Sequence, residues 1–193
     1  MTPFLAKAVV LLVAVGWYVI RYPYQRRARR NPVARTERGP REYLLMGIST
    51  AGFGLIPFVY ICFDFPRSAD YPFHPTQAWL GVLVALGSLF MFRLTHRALG
   101  HYWSVSLDLR EQHALVTDGI YRYVRHPMYT GMTLTALATP FALGSYIAAS
   151  AFALIVPVLI YRLIHEERTL RRDLAGYEEY CKRVRRRLVP SVW

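Results

Sequence analysis

The stretch "RHPMYTGMTLTALATPFALGSYIAASAFALIVPVLIY", residues 125–161, passes from charge into an unbroken apolar run. From Pro127 to Tyr161 it carries no Asp, Glu, Lys or Arg. A helix crossing the hydrocarbon of a bilayer needs about 17 to 25 apolar residues, so this run is too long for one span. Divided near Gly144 and Ser145, it gives two short helices that fold back as a hairpin. Outward from there the same composition recurs: residues 3–20 contain one charge, Lys7, and residues 43–63 and 78–92 contain none. These runs predict an all-α polytopic integral membrane protein with five transmembrane helices, a cytoplasmic insertion between the third and fourth, and an amphipathic C-terminal helix.

The net charge of +12 suggests nucleic acid only until its location is considered. Residues 21–42 hold eight arginines against two glutamates, 93–126 hold five against three acids, and the tail from 162 holds nine basic residues against five acids. Residues 64–77 carry one arginine and two aspartates. Five spans put the three basic segments on one side, which the positive-inside rule makes cytoplasmic, with the N-terminus outside and the C-terminus inside. The basic charge then orients the chain and meets membrane lipids, and no nucleic-acid partner is implied. The first run is not followed by a small-residue cleavage site; "WYVIRYPYQRRARR", residues 17–30, reads instead as an aromatic belt and stop-transfer flank. Cys62 and Cys181 fall on opposite sides of this topology, so no disulfide is expected.

The chain reads as a single membrane domain, 1–77 giving the first two spans and 78–193 the core. Pro23, Pro32 and Pro40 argue against a continuous helix through the arginine-rich loop, and Gly100 permits the third helix to stop after Leu99. Val105, Leu107 and Leu109 alternate with Ser104, Ser106 and Asp108, a period of two that suggests a short extended segment. In the tail, Leu170, Leu174, Tyr177, Cys181, Val184 and Leu188 recur at helical spacing up to Pro190, which predicts one amphipathic helix packed on the insertion or on lipid. Glu178 with Lys182, Glu179 with Arg183 and Glu167 with Arg171 form candidate i,i+4 pairs.

The polar part of the quoted stretch is the candidate site. Proline at 127 biases His126 away from helix while suiting the first helical position itself, so His126 is the last extended residue and Pro127 opens the fourth span. A helix start carries unpaired N–H groups and a positive dipole end that hold a carboxylate or phosphate. Tyr121 and Arg125 add polar groups at the same depth, and Gly131 lets a ligand or another backbone come close. The plain alternative is interfacial: arginine snorkelling, histidine capping and a tyrosine belt. Arg162, just inside an apolar run, is a functional candidate because a charge at membrane depth is costly. The histidines lack short ligand spacings and cysteine partners, so no metal site is expected, and no glycine-rich phosphate loop follows a strand.

"RHPMYTG" followed about 40 residues later by "EERTL" and "GYEEYCKRVRRRLVP" resembles the isoprenylcysteine carboxyl methyltransferase family and its relatives, membrane-embedded methyltransferases that include phospholipid methyltransferases. The resemblance covers residues 78–190 and leaves the first two spans without a signature. It implies S-adenosyl-L-methionine as cofactor, bound by His113, Ala114, Leu115 and Val116, by Tyr121, and by His126, Pro127, Met128 and Tyr129; Arg125 joins these cofactor candidates by its place at the same junction. It further implies Arg162 at the substrate and Glu166 at the cofactor, with Glu167 as the alternative register for that glutamate. The acceptor it implies is hydrophobic or lipid-linked, such as a prenylcysteine carboxylate. A chain keeping this fold as a non-catalytic membrane scaffold, or as a lipid- or partner-binding protein, is the alternative from another class.

Overall fold

Five apolar runs become five helical columns in the computed structural model, which describes residues 1–30, 33–35, 39–103, 109–110 and 115–189. The first is α1, Pro3–Ala28, started by Thr2, whose hydroxyl accepts the Leu5 N–H at 3.3 Å. It runs through Pro23, where a single lost hydrogen bond near a helix end is outweighed by the apolar faces on either side, and ends at Ala28, so the arginine-rich loop is not one continuous helix, as expected. The second column is compound: α2, Pro40–Thr50, then a π-helical turn, Ala51–Leu55, then α3, Ile56–Phe63. Pro57 explains the wide turn, since its ring cannot fit against the carbonyl of Phe53 in an ordinary α-helix. The third is α4, Pro75–Leu99, stopped by Gly100 at φ 54 as expected.

The long apolar run breaks where its sequence suggests. Helix α5, Pro127–Leu143, ends at Gly144 in the left-handed region with φ 69, and α6, Tyr146–Asp173, begins after the Ser145 cap. Four columns have both the length and the composition to cross a membrane; α5 is apolar but only 17 residues long. The molecule is thus an integral membrane protein with four such helices and a short fifth packed among them.

Helices in lipid gain little from burying apolar surface, so close approach and hydrogen bonds must hold them together. Helices α4 and α5 show this. Ala78, Gly81, Ala85 and Ser88 line one face of α4, and a Cβ on Gly81 would lie 2.6 Å from the Ala142 nitrogen. Ser88 Oγ and Thr135 Oγ1 are hydrogen-bonded at 2.7 Å across the same seam. Gly131 belongs to it as well: its added Cβ would meet the Ser88 carbonyl oxygen at 3.4 Å, so this glycine serves helix packing and not a ligand.

The two ends of the bundle are tied differently. At the end carrying residues 64–74, Lys7 pairs with Asp64, Tyr60 donates to Asp70 at 2.7 Å, and the Tyr71 hydroxyl donates to the Pro140 carbonyl at 2.6 Å. At the basic end, strands β1, Val33–Arg35, and β2, Leu109–Arg110, pair antiparallel and join the arginine-rich loop to the insertion. Of the extended segment expected around 104–109 only Leu109 lies within the described residues.

The tail departs from the single expected helix. Helix α6 continues to Asp173, Gly176 turns the chain at φ 80, and α7 spans only Tyr177–Arg183. The apolar spacing holds nonetheless: Leu170, Leu174, Tyr177, Cys181 and Val184 cluster with Leu115 of the insertion. The expected i,i+4 pairs are replaced, because the turn at Gly176 brings other partners together. Arg171 meets Glu178 at 2.9 Å, Lys182 meets Glu179 at 2.7 Å, and Arg183 lies over the Tyr180 ring.

Candidate active site

The "RHPMY" junction is held by backbone first. His126 is non-helical with φ −127, as the residue before a proline should be, and Pro127 starts α5. The extended tail runs alongside it: Arg125 and His126 donate their N–H groups to the carbonyls of Arg186 and Arg187, both at 2.9 Å. Thr130 then donates from its hydroxyl to the Leu188 carbonyl at 2.7 Å. Arg125 also reaches Val184 O at 2.7 Å, and the Tyr180 hydroxyl donates to Tyr121 O at 2.7 Å. The tail is therefore a strap that fixes the junction from below.

Charges then sort onto two faces of α6. Glu167 is buried and takes Arg125 Nε at 2.7 Å, His126 Nε2 at 3.2 Å and Arg187 Nε at 3.0 Å. A carboxylate shared among three such groups is satisfied, so Glu167 holds the junction together and does not line the cavity beside it. Arg171, proposed as its partner by sequence spacing, is turned away to Glu178. Glu166, about a quarter turn on, faces the cavity opposite Tyr121 and Tyr129.

The cavity measures about 340 Å³ and draws its walls from every column and from the tail. Leu115, Val116, Tyr121, Arg125, His126, Met128, Tyr129, Arg162 and Glu166 all line it. Pro127 is buried behind the wall, and His113 and Ala114 lie outside the described residues. Burial and the nearby Glu166 carboxylate push the Tyr121 phenol well above its usual range, so it remains a hydrogen-bonding hydroxyl. Burial does the same for Tyr177 and Tyr180.

Several wall residues were not foreseen. Arg21 comes from α1, Met46, Ser49, Thr50 and Phe53 from the second column, and Trp103 from the turn after α4. Glu42, at the start of α2, sits 2.7 Å from Arg162 and is its carboxylate partner. The only hint in the sequence was the placing of Glu42 at the edge of an apolar run, one to two turns before Met46 and Ser49 on the same face.

A set of buried polar atoms in the wall lacks hydrogen bonds among the described residues: Ser49 Oγ, Trp103 Nε1, Arg162 Nε and the Tyr177 hydroxyl. Buried polar groups are normally paired, so such a group facing one cavity marks where a ligand supplies partners. Tyr121, Tyr129 and Tyr177 are the wall tyrosines that feel the Glu166 charge. That set fits a molecule with a cationic end and a flat aromatic end. Arg162 and Arg21 bring positive charge to the same cavity, whose walls include the apolar Met46 and Phe53.

Among known proteins, residues 79–172 match the isoprenylcysteine carboxyl methyltransferase (ICMT) family. An 82-residue stretch is 40% identical to the protein-S-isoprenylcysteine O-methyltransferase of Schizosaccharomyces pombe, covering 42% of this chain and 35% of that protein. The chain thus aligns with about a third of the length of that relative. A probable protein-S-isoprenylcysteine O-methyltransferase of Oryza sativa subsp. indica is 26% identical over 160 residues, 81% of this chain and 80% of its own. The uncharacterized protein YpbQ of Bacillus subtilis is 28% identical over 94 residues, 48% of this chain and 56% of its own.

Proposed function

We propose, from the match of residues 79–172 to the isoprenylcysteine carboxyl methyltransferase family and the likeness to its relatives, that the chain is an S-adenosylmethionine-dependent methyltransferase forming the methyl ester of a prenylcysteine-type carboxylate. The observation that carries this is the placement of Glu166 and Arg162, one turn apart on α6, in the wall of one cavity with unpaired buried polar atoms. The names of the relatives supply the acceptor class, and the cavity supplies groups suited to it.

Bound S-adenosylmethionine supplies an electrophilic methyl on a sulfonium. The Glu166 carboxylate offers a counter-charge to its cationic centres, while Tyr121, Tyr129 and Tyr177 offer hydroxyls and ring faces. Arg162 orients the acceptor carboxylate and keeps it aligned for attack. That carboxylate is already ionised near neutral pH, so no residue here need act as a base. The strap of the tail and the apolar walls exclude water, which strengthens the charge interactions inside. Met46, Phe53, Met132 and Leu159 offer apolar surface for the lipid chain of the acceptor.

The basic end of the bundle is the cytoplasmic one in this reading, with the N-terminus outside, because its arginines satisfy the positive-inside rule. The test is a methyl-transfer assay on the full chain in lipid vesicles, with methyl-labelled S-adenosylmethionine and a prenylated cysteine carrying a free carboxylate. Formation of a base-labile methyl ester supports the proposal. Donor binding with no transfer to any carboxylate acceptor, in folded protein, would sink it.

A further inference from the structure

Arg21 is the odd charge of the cavity. It projects from α1, outside the region that matches the family, and its guanidinium lies 5.4 Å from the centre of the Trp103 ring. No carboxylate pairs with it among the described residues. Arg162, close enough for the two guanidinium groups to repel one another, shares the same wall. Glu42 neutralises one of the two, and poorly: its 2.7 Å contact with Arg162 lacks hydrogen-bond alignment, leaving Glu42 Oε1 and Arg162 Nε without hydrogen bonds.

Charge conservation at membrane depth decides what fits here, since an uncompensated buried charge is costly. Glu166 contributes −1, which offsets a donor with sulfonium, ammonium and carboxylate at net +1. Arg125 pairs with Glu167 in a separate network whose second arginine, Arg187, reaches solvent. Arg21, Arg162 and Glu42 sum to +1, which an anion offsets. A neutral amine acceptor would leave that charge uncompensated, and a protonated one would add to it.

From this juxtaposition we infer that Arg21 is a specificity-determining residue: with Arg162 it forms a two-arginine site for the acceptor's carboxylate, and it makes the cavity reject amine acceptors. This rests on the methyltransferase reading above for the name of the ligand, and on the geometry for its charge. Ser49, with its unpaired buried hydroxyl on the facing wall, offers the same carboxylate a further hydrogen bond.

The test measures binding and does not depend on turnover. Full-length protein in lipid vesicles is titrated with N-acetyl-S-farnesylcysteine and with its uncharged primary amide, and separately with S-adenosylmethionine. The wild type should prefer the carboxylate over the amide by about tenfold or more. Arg21→Gln and Arg21→Met, the latter keeping alkyl packing on Trp103, should lose most of that ratio, whereas Arg21→Lys keeps it; donor affinity stays within about twofold throughout. An unchanged ratio in the variants overturns the inference, as does absence of carboxylate preference in the wild type. So does a selective fall in donor affinity, which would assign the free arginine to the donor's own carboxylate. Should the variants not fold, Arg162→Gln decides: Arg21 should retain part of the carboxylate preference there, and its complete loss overturns the inference. A carboxylate preference without methyl transfer would leave this site standing and remove the enzymatic reading.

Discussion

Two clusters of buried charge beside the cavity are handled in opposite ways. Around "RHPMY", Arg125, His126 and Arg187 all converge on Glu167, so each has a carboxylate partner. Around Arg162, the first two columns bring Arg21 and Glu42 to a guanidinium whose hydrogen bonds stay incomplete. A satisfied network rigidifies, and an unsatisfied one awaits a partner. The difference separates two adjacent glutamates: Glu167 belongs to the architecture and Glu166 to the cavity.

The strongest way to break this contrast is Glu167→Ala. Stripping the shared carboxylate from buried Arg125 and His126 should cost about 3–5 kcal/mol, the usual penalty for an orphaned buried charge. In thermal denaturation of the vesicle-embedded protein, the transition should fall sharply or vanish; a melt like that of the wild type would show that the network is dispensable. In the other cluster, Arg162→Ala should lower turnover about 100-fold through loss of alignment, with a fall in the melt because buried Glu42 loses its partner. Turnover unchanged with a saturating carboxylate acceptor would remove its assigned role.

Gly81→Ala tests the platform on which both clusters stand. Its methyl would intrude on the backbone of α5, for a loss of about 1–3 kcal/mol by overpacking. Gly54→Ala, where no atom lies within 4 Å of the added methyl, is its control in the same denaturation series. Equal effects at the two positions would mean that the α4–α5 seam is not tightly packed. Glu166→Gln should weaken donor binding by about tenfold, roughly the loss of one charge contact, with the melt unchanged. Calorimetric titration reads this directly, and undiminished affinity would move the donor elsewhere in the cavity.

The smallest effect concerns Cys181, in the tail cluster. Burial raises its thiol above the usual range, so thiolate should appear only at higher pH than in a free cysteine. Alkylation rates followed against pH should therefore rise late, and a midpoint at or below that of free cysteine would mean that the strap is not packed there.

Much of the bundle was legible because lipid imposes a simple rule: apolar runs of sufficient length become helices, and prolines and glycines mark their ends. Pro127, Gly144 and Gly100 did so as expected. Pro23 did not, because propensity near a helix end yields to the surrounding apolar surface. The tail was half legible: its apolar spacing named the right cluster, while the left-handed turn at Gly176 divided the helix that carries it. At the site, the "RHPMY" junction and Arg162 stood out because charge beside an apolar run is expensive and therefore noticeable, whereas Glu166 rested on the family resemblance.

The chain by itself determined its helical columns, the polar junction before Pro127 and the charge asymmetry of its two ends, since each follows from local composition and the cost of placing polar groups in hydrocarbon. Only the tertiary structure decided which glutamate of α6 meets the cavity, that Glu42 stands beside Arg162, and that Arg21 shares its cavity. Those contacts join residues more than 100 apart in the chain, and no local rule of spacing reaches across helices that meet only when packed.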